Sequence, residues 1–229
     1  MDYAHPLALA ARRVGQKVGI LRPLVQLYRK IAGTGYEDAF GVALLKDVRT
    51  ADVVWDVGAN IGLYSRKLAE AVGPTGQVVA FEPTPSTIEV LREAVAAYPQ
   101  VTIVPVALAD YSGVAHFSTS EHHQSNTLNT SAKASDCIEV KVEPGDVYSA
   151  DQCPDVIKID VEGFELDVVR GMTRTLAQAK LRSVFIEVHF LEMSKRGLDD
   201  GAGQLKAALE RAGLRVTWLD PSHIVARRG

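Results

Sequence analysis

From Asp52 onward, the sequence repeats short apolar segments that are each followed by a longer amphipathic segment. This alternation is typical of β-α-β units, which fold into a mostly parallel sheet covered by helices. The predicted strands are 52–57, 77–82, 101–107, 156–160 and 183–188, and the predicted helices are 61–72, 85–98, 165–179 and 201–212. The runs 214–219 and 223–226 predict an antiparallel hairpin. We therefore predict an α/β fold with a doubly wound sheet and an antiparallel C-terminal edge strand.

Two regions fall outside this repeat. Residues 1–50 form a predicted N-terminal helical segment, because apolar residues recur at helical spacing over 7–32 with Arg and Lys between them. The main domain is 51–229, and about 108–150 of it is predicted to be a β-rich insert around a polar loop. Long loops within compact domains often bind ligands. We expect this loop to contact the substrate through His122, His123, Ser125 and Asn126.

Charge is distributed unevenly along the chain. Of the net charge of −3, the first 36 residues contribute +5 and the remainder contributes −8. An acidic body is a poor match for a phosphate backbone, so we expect no nucleic-acid partner. The basic N-terminal helix leaves open a contact with a membrane surface. Because there is no apolar run of the roughly 18–20 residues that span a membrane and no recognisable leader, we expect no transmembrane segment and a cytoplasmic protein.

The first predicted strand ends in a turn punctuated by glycine. Asp56, Gly58, Asn60 and Gly62 lie within the sequence DVGANIG. Doubly wound sheets bind ligands outside the carboxyl ends of their strands, so this turn is the predicted cofactor loop. It lacks the Gly-x-Gly-x-x-Gly pattern that accommodates a dinucleotide pyrophosphate. A carboxylate at Asp56 suits a cationic ligand, and the ammonium group of S-adenosylmethionine favours that cofactor over NAD.

Acidic residues also follow the second and third strands. Glu82, followed by Pro83, lies about 20 residues beyond the loop, where ribose hydroxyls are commonly bound. We expect the Glu82 carboxylate to accept from the ribose diol. Asp110 follows the third strand, where it could accept from the adenine amine. A turn aspartate ahead of Ser112 is an equally good interpretation of that position.

The fourth and fifth strands end in clustered charges. Lys158 lies within an apolar strand, and its burial is costly unless a carboxylate pairs with it. Asp160 and Glu162 share one face by strand alternation, and Glu187 shares a face with His189. Three of these residues, Asp160, Glu187 and His189, are candidates for an acid/base set or for a divalent metal site.

In order, these motifs resemble those of the FkbM family of methyltransferases. The resemblance extends from about Asp52 to His189 and implies a Rossmann-like methyltransferase fold that uses S-adenosylmethionine. It also implies O-methylation of a hydroxyl on a sugar, glycan or secondary metabolite. The predicted cofactor-binding residues are Asp56, Gly58, Asn60, Gly62, Glu82, Pro83, Asp110 and Asp160. The predicted reaction centre comprises Lys158, Asp160, Glu162, Glu187 and His189.

Methyl transfer to a hydroxyl requires alignment of the reactants and removal of a proton. We expect His189 or Asp160 to be the general base, with Lys158 holding the carboxylates or stabilising the oxyanion. A divalent metal held by Asp160 and Glu187 is an alternative. The sequence also leaves open methylation of nitrogen or of a protein or lipid-linked acceptor, an NAD(P)-dependent oxidoreductase, and a non-catalytic cofactor-binding scaffold.

Overall fold

The computed structural model describes residues 35–118 and 137–229, which contain two β-sheets and the helices that cover them. The strands are β1 (Val53–Val57), β2 (Gln77–Phe81), β3 (Val101–Val104), β4 (Ala107–Leu108), β5 (Gly113–Ser118), β6 (Cys137–Glu143), β7 (Val156–Ile159), β8 (Ser183–Glu187), β9 (Leu214–Trp218) and β10 (His223–Arg228). The α-helices are α1 (Gly35–Asp47), α2 (Leu63–Val72), α3 (Pro85–Val95), α4 (Glu165–Arg170), α5 (Thr173–Ala177), α6 (Phe190–Lys195) and α7 (Gly201–Arg211).

The larger sheet has seven strands in the order β3-β2-β1-β7-β8-β10-β9. Strands β3, β2, β1, β7 and β8 pair in parallel, and β10 is antiparallel to both β8 and β9. The predicted fold class is confirmed, with β9 as the edge strand of the C-terminal hairpin. Chain order reverses between β1 and β7, and in doubly wound sheets this is where ligands bind.

The smaller sheet has the order β4-β6-β5. Its strands β5 and β6 pair antiparallel, and they contain the two alternating runs that the sequence placed on either side of the polar loop. The short strand β4 pairs in parallel with β6 and so joins this sheet to the segment that follows β3. As a result, Val142 on β6 lies close to the carboxyl ends of the main strands, where it lines the cleft described below.

The core lies on both faces of the main sheet because its strands are apolar at successive positions. On β1, Trp55 and Val57 belong to one buried cluster, whereas Val54 belongs to a second cluster on the opposite face. That second cluster includes Phe40 and Leu44 of α1. Helix α1 therefore covers part of the sheet with apolar side chains.

Three local features differ from the sequence prediction. The strand predicted over 101–107 is divided between β3 and β4, because Pro105 lacks the N–H that a continuing strand would donate. The helix predicted over 165–179 is divided into α4 and α5 at Gly171. The short helix α6 was not predicted, since it spans only Phe190–Lys195 and offers too few residues for a helical period.

Two predicted regions fall partly or wholly outside the described residues. These are residues 1–34, which include all of the amphipathic helix predicted over 7–32, and the loop residues 119–136. Membrane contact through the N-terminal helix therefore stays a prediction. In the described ranges, no helix is both long enough and apolar enough to cross a bilayer.

The packing of α1 can be tested with two residues of that helix. Leu44 is fully buried, so Leu44→Ala is expected to lower the free energy of unfolding by about 2–5 kcal/mol. Val42 is 53% exposed, and Val42→Ala should change it by no more than about 0.5 kcal/mol. Urea denaturation of both variants measures the difference. Equal losses in the two variants would contradict the packing of α1 on the sheet.

Candidate active site

The loop after β1 is held by a buried ion pair. Lys158 on β7 is the register partner of Asp56 on β1, and its Nζ lies 3.0 Å from Asp56 Oδ1. The same Nζ donates a 2.9 Å hydrogen bond to the Gly58 carbonyl, and Ser65 Oγ donates one of 2.7 Å to Asp56 Oδ2. Burial alone would lower the pKa of Lys158, but Asp56 and Asp160 raise it above its ordinary value. At neutral pH, Lys158 is therefore a buried cation.

The same loop packs directly on the end of β7. Gly58 has a φ of +76°, and a Cβ at this position would lie 1.9 Å from the carbonyl oxygen of Asp160. Only glycine permits both the left-handed conformation and this close approach. The cofactor loop and the carboxyl end of β7 are consequently fixed relative to each other.

Glu82 is held in place at the end of β2 by two backbone hydrogen bonds. The Asn60 N–H donates to Oε2 at 3.1 Å, and the Thr84 N–H donates to Oε1 at 2.9 Å. Burial raises the pKa of Glu82, and these hydrogen bonds partly offset the rise. The Thr84 side chain also hydrogen-bonds to this carboxylate. Because an ionised carboxylate has about four acceptor positions, Glu82 can still accept a hydrogen bond from a ligand.

A cleft of about 880 Å³, including its open mouth, lies at the carboxyl ends of β1, β2 and β7. Polar residues line the cleft at the end of β2, namely Glu82, Thr84 and Thr87. Two carboxylates, Asp160 and Glu162, line it at the end of β7. The apolar part is formed by Val57, Phe81, Val106, Ala107, Leu108, Ala109, Val142, Val161 and Phe164. The cleft can accept a ligand with a flat apolar ring and a polar, hydroxylated portion.

A second cluster of charges surrounds the imidazole of His189. Its Nδ1 forms a 2.7 Å hydrogen bond with Oε1 of Glu165, which is fully buried. Its Nε2 lies 3.5 Å from a carboxylate oxygen of Glu162 and 3.8 Å from oxygens of both Asp160 and Glu187. The sequence did not establish whether Asp160, Glu187 and His189 meet, and the structure brings them together.

These contacts shift the pKa values of His189 and Glu162. Burial alone would lower the pKa of His189, but the hydrogen bond to Glu165 and the charges of Glu162 and Glu187 raise it to about 10. Burial raises the pKa of Glu162 to about 7, with a further increase from Asp160 and an opposing effect of His189. At neutral pH, His189 is therefore a cation, and Glu162 is poised between its two protonation states.

The structure divides the predicted cofactor residues into two groups. Five of them line the cleft: Gly58, Asn60, Glu82, Pro83 and Asp160. Asp56 is fully buried and its carboxylate pairs with Lys158, so its predicted contact with the cofactor stays a prediction. Gly62 lies outside the cleft lining, and its φ of +85° lets the chain turn into α2. Asp110 is exposed and also lies outside the lining.

The four predicted substrate-binding residues, His122, His123, Ser125 and Asn126, lie outside the described residues, so their role stays a prediction.

Sequence reasoning missed several residues that shape the site. Glu165 looks like an ordinary acid in the first turn of a helix, yet its side chain is fully buried against His189. Ser65 and Thr84 belong to no recognisable motif, because their roles depend on contacts between separate elements.

Comparison with known proteins identifies the family. A family model described as the methyltransferase FkbM domain matches residues 56–216. The chain belongs to the FkbM methyltransferase family. The FkbM match includes the cofactor loop, Lys158 and His189, whereas α1 and β10 lie outside it.

Two relatives are similar to this chain in sequence. Hexuronic acid methyltransferase AglP of Haloferax volcanii is 35% identical over 153 residues, which cover 64% of this chain and 59% of AglP. AMB antimetabolite synthetase AmbE of Pseudomonas aeruginosa is 30% identical over 208 residues, which cover 72% of this chain and 10% of AmbE. The chain therefore spans less than two thirds of either relative.

A solved structure shares the fold of this FkbM-family chain. The methyltransferase FkbM from Methylobacillus flagellatus KT superimposes with a TM-score of 0.53 at 17% sequence identity. The match covers 79% of this chain and 44% of the other chain.

Removal of the Lys158 amine from the buried ion pair is expected to lower the stability of the protein strongly. Lys158→Met would leave the fully buried Asp56 without its cation, and the free energy of unfolding should fall by about 3–5 kcal/mol. Adding Asp56→Asn to this variant should restore part of the loss, because the unpaired charge is then removed. Lys67 is exposed and its Nζ lies 5.5 Å from the Tyr64 ring centroid, which makes Lys67→Met a matched control. Similar denaturation midpoints for both lysine variants would contradict this account.

Proposed function

We propose that this chain transfers the methyl group of S-adenosylmethionine to a hydroxyl group of a sugar or glycan. The main support is the arrangement of Glu82, Asp160 and Glu162 along one cleft of an FkbM-family domain. The relative AglP, which is named for hexuronic acid methylation, supports a sugar as the acceptor. Glu162 and the neighbouring cluster then act on the acceptor hydroxyl.

The cleft residues fit the two ends of S-adenosylmethionine. Glu82 has free acceptor capacity for a ribose diol, and the apolar wall around Leu108 and Val142 suits an adenine ring. Asp160 is the carboxylate that lines the cleft beside the Gly58 loop, so we assign the attraction of the ammonium group to Asp160 and not to Asp56. When bound, this cofactor supplies an electrophilic methyl group on a positively charged sulfur.

Glu162 is the side chain best suited to remove the hydroxyl proton. It lines the cleft, its side chain is 34% exposed, and its pKa of about 7 is near the optimum for a general base. Its backbone φ of 50° is unusual for a residue other than glycine, and such conformations often occur at functional sites. We therefore assign the base to Glu162 in place of His189 or Asp160.

His189 has a different role in this scheme. With a pKa of about 10, its imidazole already carries a proton at neutral pH and cannot accept another. Its positive charge lies 3.5 Å from Glu162, so it offsets the repulsion among the surrounding carboxylates. Lys158 has a structural role in this scheme. It is buried, and its amine contacts Asp56, the Gly58 carbonyl and Asp160.

The acceptor class can be tested with a panel of radiolabelled methyl-transfer assays. Hexuronic acids, neutral sugars and their glycosides should accept the methyl group on oxygen. Amines, peptides and lipid-linked sugars form the comparison, because the fold alone permits several acceptor types. Transfer to amines or peptides without transfer to any sugar would contradict the proposed acceptor.

The role of Glu162 predicts a pH dependence. A carboxylate must be ionised to accept a proton, so kcat with an accepted sugar should rise as pH increases through about 7. Glu162→Gln should lower kcat by roughly 10²- to 10⁴-fold and remove this rising limb. Glu192→Gln changes an acid of α6 and is the matched control. A Glu162→Gln variant with the native pH profile would exclude Glu162 as the base.

Metal removal tests the remaining alternative at the same cluster. Ligand atoms of Asp160, Glu162 and His189 lie within 4.8 Å of one another, so they could surround a divalent cation. A metal would have to displace the proton from His189, whose pKa of about 10 opposes that exchange at neutral pH. We therefore expect methyl transfer to survive exhaustive chelation. Loss of activity that Mg²⁺ or Mn²⁺ restores would contradict this expectation.

A further inference from the structure

A second buried histidine lies behind the His189 cluster. His223 is the first residue of β10, and its side chain is 3% exposed. Its Nδ1 forms a 2.7 Å hydrogen bond with Oδ2 of Asp220. The other oxygen of Asp220 accepts the backbone N–H groups of Ser222 and His223, each at 2.9 Å. The turn between β9 and β10 therefore fixes the orientation of the His223 ring.

The Nε2 edge of this ring faces a residue of the proposed active site. His223 Nε2 lies 3.5 Å from Oε2 of Glu187, and the two residues are register partners on β10 and β8. The other oxygen of Glu187 lies 3.8 Å from Nε2 of His189. Glu187 thus lies between two imidazoles, one in the cluster and one behind it. These two neighbours lower the pKa of Glu187 despite its burial.

Helix α1 packs against the His223 ring through the side chain of Phe40. The Phe40 ring lies 4.5 Å from the His223 ring, centroid to centroid, at an interplanar angle of 32°. Phe40 also forms an edge contact with Tyr64, and Lys158 Nζ lies 5.3 Å from the centroid of the Tyr64 ring. One aromatic side chain of α1 therefore contacts residues next to both charge clusters.

We propose that His223 is a positioning residue that holds Glu187 against His189. With its bond to Asp220 on one side, His223 can donate Nε2–H to Glu187 only when it is protonated. Burial alone would lower the pKa of His223, but Asp220 and Glu187 raise it and so favour the protonated form. His223, Asp220 and Phe40 all lie outside the matched FkbM domain, residues 56–216. The proposed site is thus completed by parts of the chain that the family match does not include. The consequence for methyl transfer rests on the proposed function, whereas the placement of Glu187 does not.

The direct test is the imidazole ring signal of His189 in long-range proton–nitrogen NMR spectra at neutral pH. His223→Phe keeps a ring against Phe40 but removes the donor to Glu187. Glu187 should then move, and the ring nitrogen shifts of His189 should change. His223→Gln keeps an N–H donor, so its His189 signals should return toward the native positions. Unchanged His189 signals in a folded His223→Phe protein would overturn the proposal.

Asp220→Asn is the second variant, for the case in which His223→Phe does not fold. It keeps an oxygen for the turn N–H groups but removes the charge that pairs with Nδ1. The His189 signals should again shift in this variant, and unchanged signals would overturn the proposal. With an accepted sugar, kcat should fall roughly ten- to hundredfold in His223→Phe, while S-adenosylhomocysteine binding stays native. If the native protein binds no S-adenosylhomocysteine, the proposed function fails and the NMR result still decides the role of His223.

Discussion

The buried pair of Lys158 and Asp56 is the interaction on which the rest of the site depends. The two charges lie on neighbouring strands at the point where the sheet reverses its chain order. Because Lys158 also donates to the Gly58 carbonyl, the pair ties the cofactor loop to the end of β7. Paired burial of this kind contributes little net stability, but the loss of one partner is costly. The arrangement thus fixes geometry more than it adds free energy.

Much of the architecture follows from the sequence, because apolar strands and amphipathic helices have different periods. The strand ends were also predictable, and with them the placement of Glu82, Asp160 and Glu162 along one edge. The need for a partner of Lys158 followed from the cost of burying an amine. The structure pairs the buried carboxylate of Asp56 with Lys158, and a contact of Asp56 with the cofactor stays a prediction. Strand spacing alone does not reveal that Lys158 occupies the space beside this carboxylate.

The remaining features depend on contacts between distant segments. Glu165 and His189 lie 24 residues apart, and nothing in either local pattern indicates their hydrogen bond. The same holds for His223, whose environment combines β8, the β9–β10 turn and α1. The resulting protonation states also change the assigned chemistry, since His189 is already a cation and Glu162 is not fully ionised. Sequence reasoning identified Asp160, Glu162, Glu187 and His189, but neither Glu165 nor the division of roles within the cluster.

The central claim is that the cleft between the β1 loop and Glu82 binds S-adenosylmethionine. Calorimetric titration with S-adenosylhomocysteine tests it without knowledge of the acceptor. The native protein should bind, and Glu82→Ala should weaken binding by about 1.5–3 kcal/mol, the usual contribution of hydrogen bonds to a charged group. Glu89→Ala on the exposed face of α3 should bind like the native protein. Absence of binding by the native protein, or equal binding by Glu82→Ala, would contradict the account.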